Sequence, residues 1–121
     1  MAQTSFRANV HTHAGVAVID LHGEINAFAE QDLTSAYASA VSSNPSAVIL
    51  NFSGVDYMNS TGIALIVGLL SQARKEHRSL VVYGLSDHYT EIFNITRLVD
   101  FMTIYPDEAT ALNALAAQDK S

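Results

Sequence analysis

Residues 47–70 read AVILNFSGVDYMNSTGIALIVGLL, and the change of period inside this stretch constrains the fold more than any other feature of the chain. "AVILNF" is a β-branched, apolar run of strand length. "SGVDYM" has the composition of a loop, and from "NSTG" onward the apolar residues recur at helical spacing. A short apolar strand that leads through a short loop into an apolar helix is a building unit of α/β folds. The same reading elsewhere predicts strands over 5–10, 16–21, 47–52, 80–83 and 101–105, and helices over 29–41, 60–77, 88–99 and 107–117. The first two strands are joined by "HTHAG", short enough for a hairpin. A hairpin followed by alternating strands and helices gives an α/β sandwich: a mixed, mostly parallel sheet of about five strands with one antiparallel edge and about four helices. The 121 residues amount to one domain's worth of chain, spanning 1–121.

Within the helix over 60–77, Ile63, Ile66, Leu70 and Ala73 form one stripe, with Leu65 and Leu69 beside it, and this face is expected to pack on the sheet. Ala64, Val67 and Gly68 widen the apolar band, so that part of it is either further core or a surface open to a partner.

The net charge of −6 is unevenly placed, with no Lys or Arg from Ala8 to Ala73 while Asp20, Glu24, Glu30, Asp32 and Asp56 fall in that stretch. Phosphate neutralisation needs clustered cations, so nucleic acid is not an expected partner. The one basic cluster, Arg74, Lys75, His77 and Arg78, reads as a solvated helix C-terminus that complements the macrodipole. No apolar run reaches the roughly 18 to 20 residues of a membrane span, and "MAQTSFRANV" lacks the regions of a signal peptide. A cytoplasmic protein without membrane association is the expectation, and the absence of Cys fits a reducing compartment.

The usual signatures of catalysis are missing: the chain contains no GxxxxGK[ST], GxGxxG, HExxH or GxSxG. No enzyme activity and no cofactor is expected. His11 and His13 would share a strand face but are placed in the hairpin turn without a third metal ligand. His22, His77 and His88 stand alone. Glu24 and Asp56 are the one pair of carboxylates open to an acid–base reading, yet no nucleophile accompanies them.

The loop remains. Asn59, Ser60, Thr61 and Gly62 lie where a strand's C-terminal end meets a helix N-terminus, the place where open α/β sheets put their sites. Asn59 or Ser60 can act there as an N-cap, worth about 1 kcal/mol. Alternatively the Ser60 hydroxyl is exposed and accepts a phosphoryl group, whose charge the helix start tolerates. With no cation nearby in sequence, that charge would act on whatever docks there and break an interface.

"VILNFSGVDYMNSTGIALIVGLL" resembles the signature of the STAS-domain anti-sigma factor antagonists, in which a strand passes through G-V-x-x-M/I-D-S-[ST]-G into an apolar helix. "VIDLHGEINAFAEQDL" is similar to the family's early strand and G-E-[IL]-D turn, and "LVVYGLSDHYTEIFNITRLVDFMTIYPDEATAL" to its last third. The resemblance implies a STAS-like fold and a role in partner switching. In that role the unphosphorylated protein binds an anti-sigma factor that is also a GHKL-type serine kinase. A metal-dependent serine phosphatase reverses the phosphorylation. It further implies Ser60 as phosphoacceptor, with Thr61 second, and a partner surface of Asn26, Asn59, Ser60, Thr61, Gly62 and Ile63. Gly62 matches the motif's glycine, expected to let a partner approach; a bulky substitution there should weaken binding with only a modest loss of stability. Two positions depart from the pattern: Asn26 and Asn59 stand where the family carries aspartates. If those carboxylates orient the hydroxyl or hold a cation, phosphorylation here is slowed or lost, and the chain is an unphosphorylated STAS scaffold; if they cap the backbone, little changes.

Overall fold

The structure, a computed structural model, describes residues 5–13, 15–100 and 102–119, the last three of these by backbone alone. Five strands form one sheet in the order β1-β2-β3-β4-β5: Arg7–His13, Val16–Ile25, Ala47–Met58, Ser79–Tyr83 and Thr103–Tyr105. β1 pairs antiparallel with β2, and every later pairing is parallel. The helices α1 (Glu30–Val41), α2 (Ser60–Lys75), α3 (Asp87–Ile95) and α4 (Glu108–Asp119) follow the strands in turn. The mixed, mostly parallel sheet with four helices agrees with the sequence reading.

The central strands are apolar at successive positions because both of their faces are covered. Ala17, Ile19 and Leu21 of β2, with Val48, Leu50 and Phe52 of β3, join the core under α1, α2 and α3. Their alternates Val16, Val18, Ala47 and Ile49 meet Ala111 and Leu115 of α4 on the opposite face. α2 buries Gly62, Ile66, Leu69, Leu70 and Ala73, and each large side chain among these contributes about 1.5–3 kcal/mol through burial. Ala64, Val67 and Gly68 are exposed, so the widened part of the band is surface.

Several boundaries differ from expectation. β1 reaches His13, which places His11 and His13 in the strand and not in the turn; Ala14 and Phe101 lie outside the described residues. The helix expected over 88–99 ends at Ile95, where the Thr96 hydroxyl donates to the Ile92 carbonyl at 2.8 Å and Arg97 turns left-handed. A separate 3-10 turn, Leu98–Asp100, follows. The largest difference is at "SGVDYM", which is not a loop. β2 and β3 run on together to Ile25 and Met58, past register shifts between Asp20 and His22 and between Gly23 and Glu24. A Cβ at Gly54 would strike His22 and the Leu21 carbonyl oxygen, so glycine is what lets the two strands stay paired through the bulge.

Candidate functional site

The shared extension of β2 and β3 brings the Asn26 turn and the Asn59 loop side by side. Ile25 pairs with Met58, and the Asn59 N–H donates to the Ile25 carbonyl at 3.3 Å. Both asparagines are caps. Asn59 Oδ1 accepts the Gly62 N–H at 2.8 Å, and the Asn59 carbonyl accepts the Ile63 N–H at 3.0 Å. Those two bonds leave the Ser60 and Thr61 amides as the open groups of the helix start. Asn26 Oδ1 accepts the Phe28 N–H at 2.9 Å, while its Nδ2 donates to Glu24 Oε2 at 2.8 Å. An aspartate at 26 could cap equally well, but its second oxygen would face the Glu24 carboxylate. The amide therefore suits this neighbour.

Ser60 and Thr61 are exposed and Ile63 is half-buried against the core. Gly62 is buried, which corrects the expectation that a bulky substitution there would cost only modest stability. A Cβ there would overlap the Ile25 carbonyl oxygen and lie 2.7 Å from the carbonyl carbon. The glycine exists so that α2 can start against the backbone of β2, and a bulky substitution would disrupt the fold rather than only a partner contact.

Two residues of this surface escaped the sequence reading. Phe28, in the 3-10 turn after Asn26, is 91% exposed, and Tyr57, opposite Glu24 across the strands, is 50% exposed. Tyr57 precedes the Asn59 cap of α2 by two residues, on the face of β3 opposite the buried Met58. The signal available in sequence was a phenylalanine between two alanines in a turn, "INAFAEQ", which alone does not distinguish a surface anchor from core. Glu24 and Asp56 are not a catalytic pair: Glu24 is engaged by Asn26 and is level with Tyr57, so Asp56 alternates to the other face of β3.

The histidines and the basic cluster have structural surroundings. His11 Nδ1 lies 3.3 Å from Asp20 and its Nε2 3.8 Å from Glu108 of α4, far from Ser60 in the fold's layering. Among the described residues no three His, Cys, Asp or Glu side chains converge to hold a metal ion. His22 lies beside Gly54, His77 is the left-handed residue after α2, and His88 packs edge-on to Tyr89. Arg78, expected in solvent, is instead a brace: its Nη1 donates to the Pro45 carbonyl at 2.6 Å and to Asn44 Oδ1 at 3.1 Å, and its Nε to Glu76 at 2.9 Å. Glu76 also accepts the Tyr37 hydroxyl at 2.9 Å. Hydrogen bonds from Gln72, Arg78 and Tyr37 hold the Glu76 carboxyl below its ordinary value, whereas burial and the Glu76 charge push the Tyr37 hydroxyl up to about 12.

The family model for the STAS domain matches residues 7–111. Among curated relatives, the anti-sigma-B factor antagonist of Staphylococcus epidermidis is 28% identical over 93 residues, covering 77% of this chain and 86% of its own. Among solved structures, an anti-sigma factor antagonist from Mycobacterium paratuberculosis superposes with a TM-score of 0.79 at 25% identity, covering 91% of this chain and 93% of that one. The Bacillus cell-fate determinant SpoIIAA, in its phosphorylated form, shares the fold with a TM-score of 0.69 at 20% identity over 92% of this chain and 99% of its own. No described helix is long and apolar enough to cross a membrane.

Proposed function

The chain belongs to the STAS-domain family, and from that premise we propose that it is a cytoplasmic, non-enzymatic anti-sigma factor antagonist switched by phosphorylation of Ser60, with Thr61 the secondary acceptor. Its partner in this reading is an anti-sigma factor of the GHKL-type serine kinase class, and a metal-dependent serine phosphatase resets the switch. The observation that carries the reading is the exposed Ser60 at the first position of α2, with two exposed rings on the segments leading to the site: Tyr57, two residues before the Asn59 cap, and Phe28, two residues after Asn26. Exposed aromatic side chains beside a polar loop are the kind of anchor that dominates protein interfaces. The partner surface comprises Asn26, Asn59, Ser60, Thr61 and Ile63, with Phe28 and Tyr57 added and Gly62 beneath it as support.

The electrostatics give the switch its direction. The open amides and positive dipole end of α2 accommodate a phosphate without refolding. With no Lys or Arg between Ala8 and Ala73, a phosphate buried under a partner would remain unpaired on this side, at a cost of several kcal/mol. Phosphorylation therefore releases the partner. Capping by Asn59 and Asn26 through their amide oxygens supports the view that the missing carboxylates serve mainly the backbone.

Mass spectrometry after incubation with the co-purifying kinase and ATP tests the proposal. Phosphate on Ser60, weaker binding of Ser60→Asp and normal binding of an unmodifiable Ser60→Ala are expected. Binding that persists with no phosphate on Ser60 or Thr61 would replace the switch with an unregulated STAS scaffold, and would mean that the aspartates absent at 26 and 59 do more than cap the backbone.

A further inference from the structure

We propose that Tyr89 is the positioning residue of the Ser60 loop, its hydroxyl on α3 holding both backbone groups of Met58 and so setting where the start of α2 stands. The functional half of this inference rests on the reading of Ser60 as phosphoacceptor.

The need for such a residue follows from the strand lengths. β3 pairs with β4 from Ala47 to Asn51, then continues to Met58 with β2 as its sole strand partner among the described residues. No described strand pairs with its other edge beyond Asn51, yet Met58 is 3% exposed. Buried backbone N–H and C=O groups require partners. Tyr89 supplies both: its oxygen accepts the Met58 N–H at 2.8 Å, and its O–H donates to the Met58 carbonyl at 3.2 Å. One side-chain group thus replaces a missing strand at the residue immediately before the cap of α2.

The loop is consequently gripped from two sides. Ile25 of β2 accepts the Asn59 N–H, and Tyr89 of α3 fixes Met58. Tyr89 is itself held, buried and edge-on to His88 in a helix whose start is capped by Ser86. Phosphoryl transfer depends almost wholly on positioning of the acceptor. Removing the hydroxyl should therefore leave the ring and the core in place while loosening the stage on which Ser60 is presented.

The test compares Tyr89→Phe with the natural protein in the full chain, alongside Ile49→Val, a mild core change on the opposite sheet face under α4. Two quantities are read: hydrogen exchange of the Met58 and Asn59 amides, and kcat and KM for phosphorylation by the co-purifying kinase with ATP. With Tyr89→Phe, Met58 exchange is expected to rise about tenfold, the scale set by leaving buried backbone groups unsatisfied, and kcat/KM for Ser60 to fall by a similar factor. KM for ATP should not move. Ile49→Val should leave both quantities near the natural values, which separates positioning from general loss of stability. If the natural protein is phosphorylated and Tyr89→Phe is phosphorylated equally fast, the inference is overturned whatever the exchange data show. If the natural protein takes no phosphate, the phosphoacceptor reading fails by itself. The positioning claim is then decided by exchange alone, upheld by lost protection at Met58 and overturned by its retention.

Discussion

Replacing Gly62 by alanine, and separately Gly68 by alanine, tests the account of how α2 is seated. In an isolated helix both changes should help, since glycine costs about 1 kcal/mol relative to alanine. The structure splits them. A Cβ at Gly68 meets nothing within 4 Å, so Gly68→Ala should gain up to about 1 kcal/mol. A Cβ at Gly62 would overlap the Ile25 carbonyl oxygen, and its neighbours include the carbonyl carbon at 2.7 Å and Ile25 Cγ2 at 3.1 Å. Two of these atoms are backbone in a paired strand and cannot turn aside, so the helix start must lift. Overpacking of this kind costs about 1–3 kcal/mol. Lifting also stretches the 3.3 Å Asn59–Ile25 hydrogen bond, worth about 1 kcal/mol. Against the propensity gain, Gly62→Ala should lose about 2 kcal/mol net. For a chain of this size that lowers Tm by roughly 8 °C, with Gly68→Ala raising it by about 2–4 °C. Urea denaturation and calorimetry on both variants measure the two effects. A Gly62→Ala protein as stable as the natural one would refute the close approach of α2 to β2.

Two further outcomes follow from the caps and the buried hydroxyls. Asn59→Ala should cost about 1 kcal/mol in urea denaturation, whereas Asn59→Asp should keep the cap and gain about 0.3–1 kcal/mol from the helix dipole. Equal stability of the alanine and aspartate variants would show that the Asn59–Gly62 bond carries no weight. Stability should also fall in alkali. Burial raises the hydroxyls of Tyr37 and Tyr83 to about 12, aided by the Glu76 charge at Tyr37 and by Glu108 and Asp20 at Tyr83. Because the folded value lies above the unfolded one near 10, this contribution is complete below about pH 10 and is lost as pH rises toward 12. Denaturation midpoints between pH 9 and 12 in Tyr37→Phe and Tyr83→Phe should lose less than in the natural chain; parallel curves would contradict it.

Features that rest on neighbours along the chain were legible from local physics alone. The period change from "AVILNF" to "IALIVGLL" fixes a strand and a helix because side-chain alternation and helical spacing are properties of the backbone. The asparagine–serine start of α2 was legible for the same reason, since a cap bonds only to residues within its own turn. The α/β order, and with it the position of Ser60 at a strand end, follows from such signals in series. Contacts between residues distant in the chain account for the rest. "SGVDYM" has loop composition, yet it is strand because β2 lies alongside to accept its pairing. Gly62 reads as a motif glycine, but its reason is the Ile25 carbonyl, 37 residues earlier in the chain by their numbers. Arg78 reads as solvated, and becomes a brace only because the loop at Asn44 and Pro45 folds back to it. The Tyr89 hydroxyl had no partner in sequence at all; it acquires one because β4 stops short of Met58, and a buried backbone edge must be satisfied by whichever group the fold brings within reach.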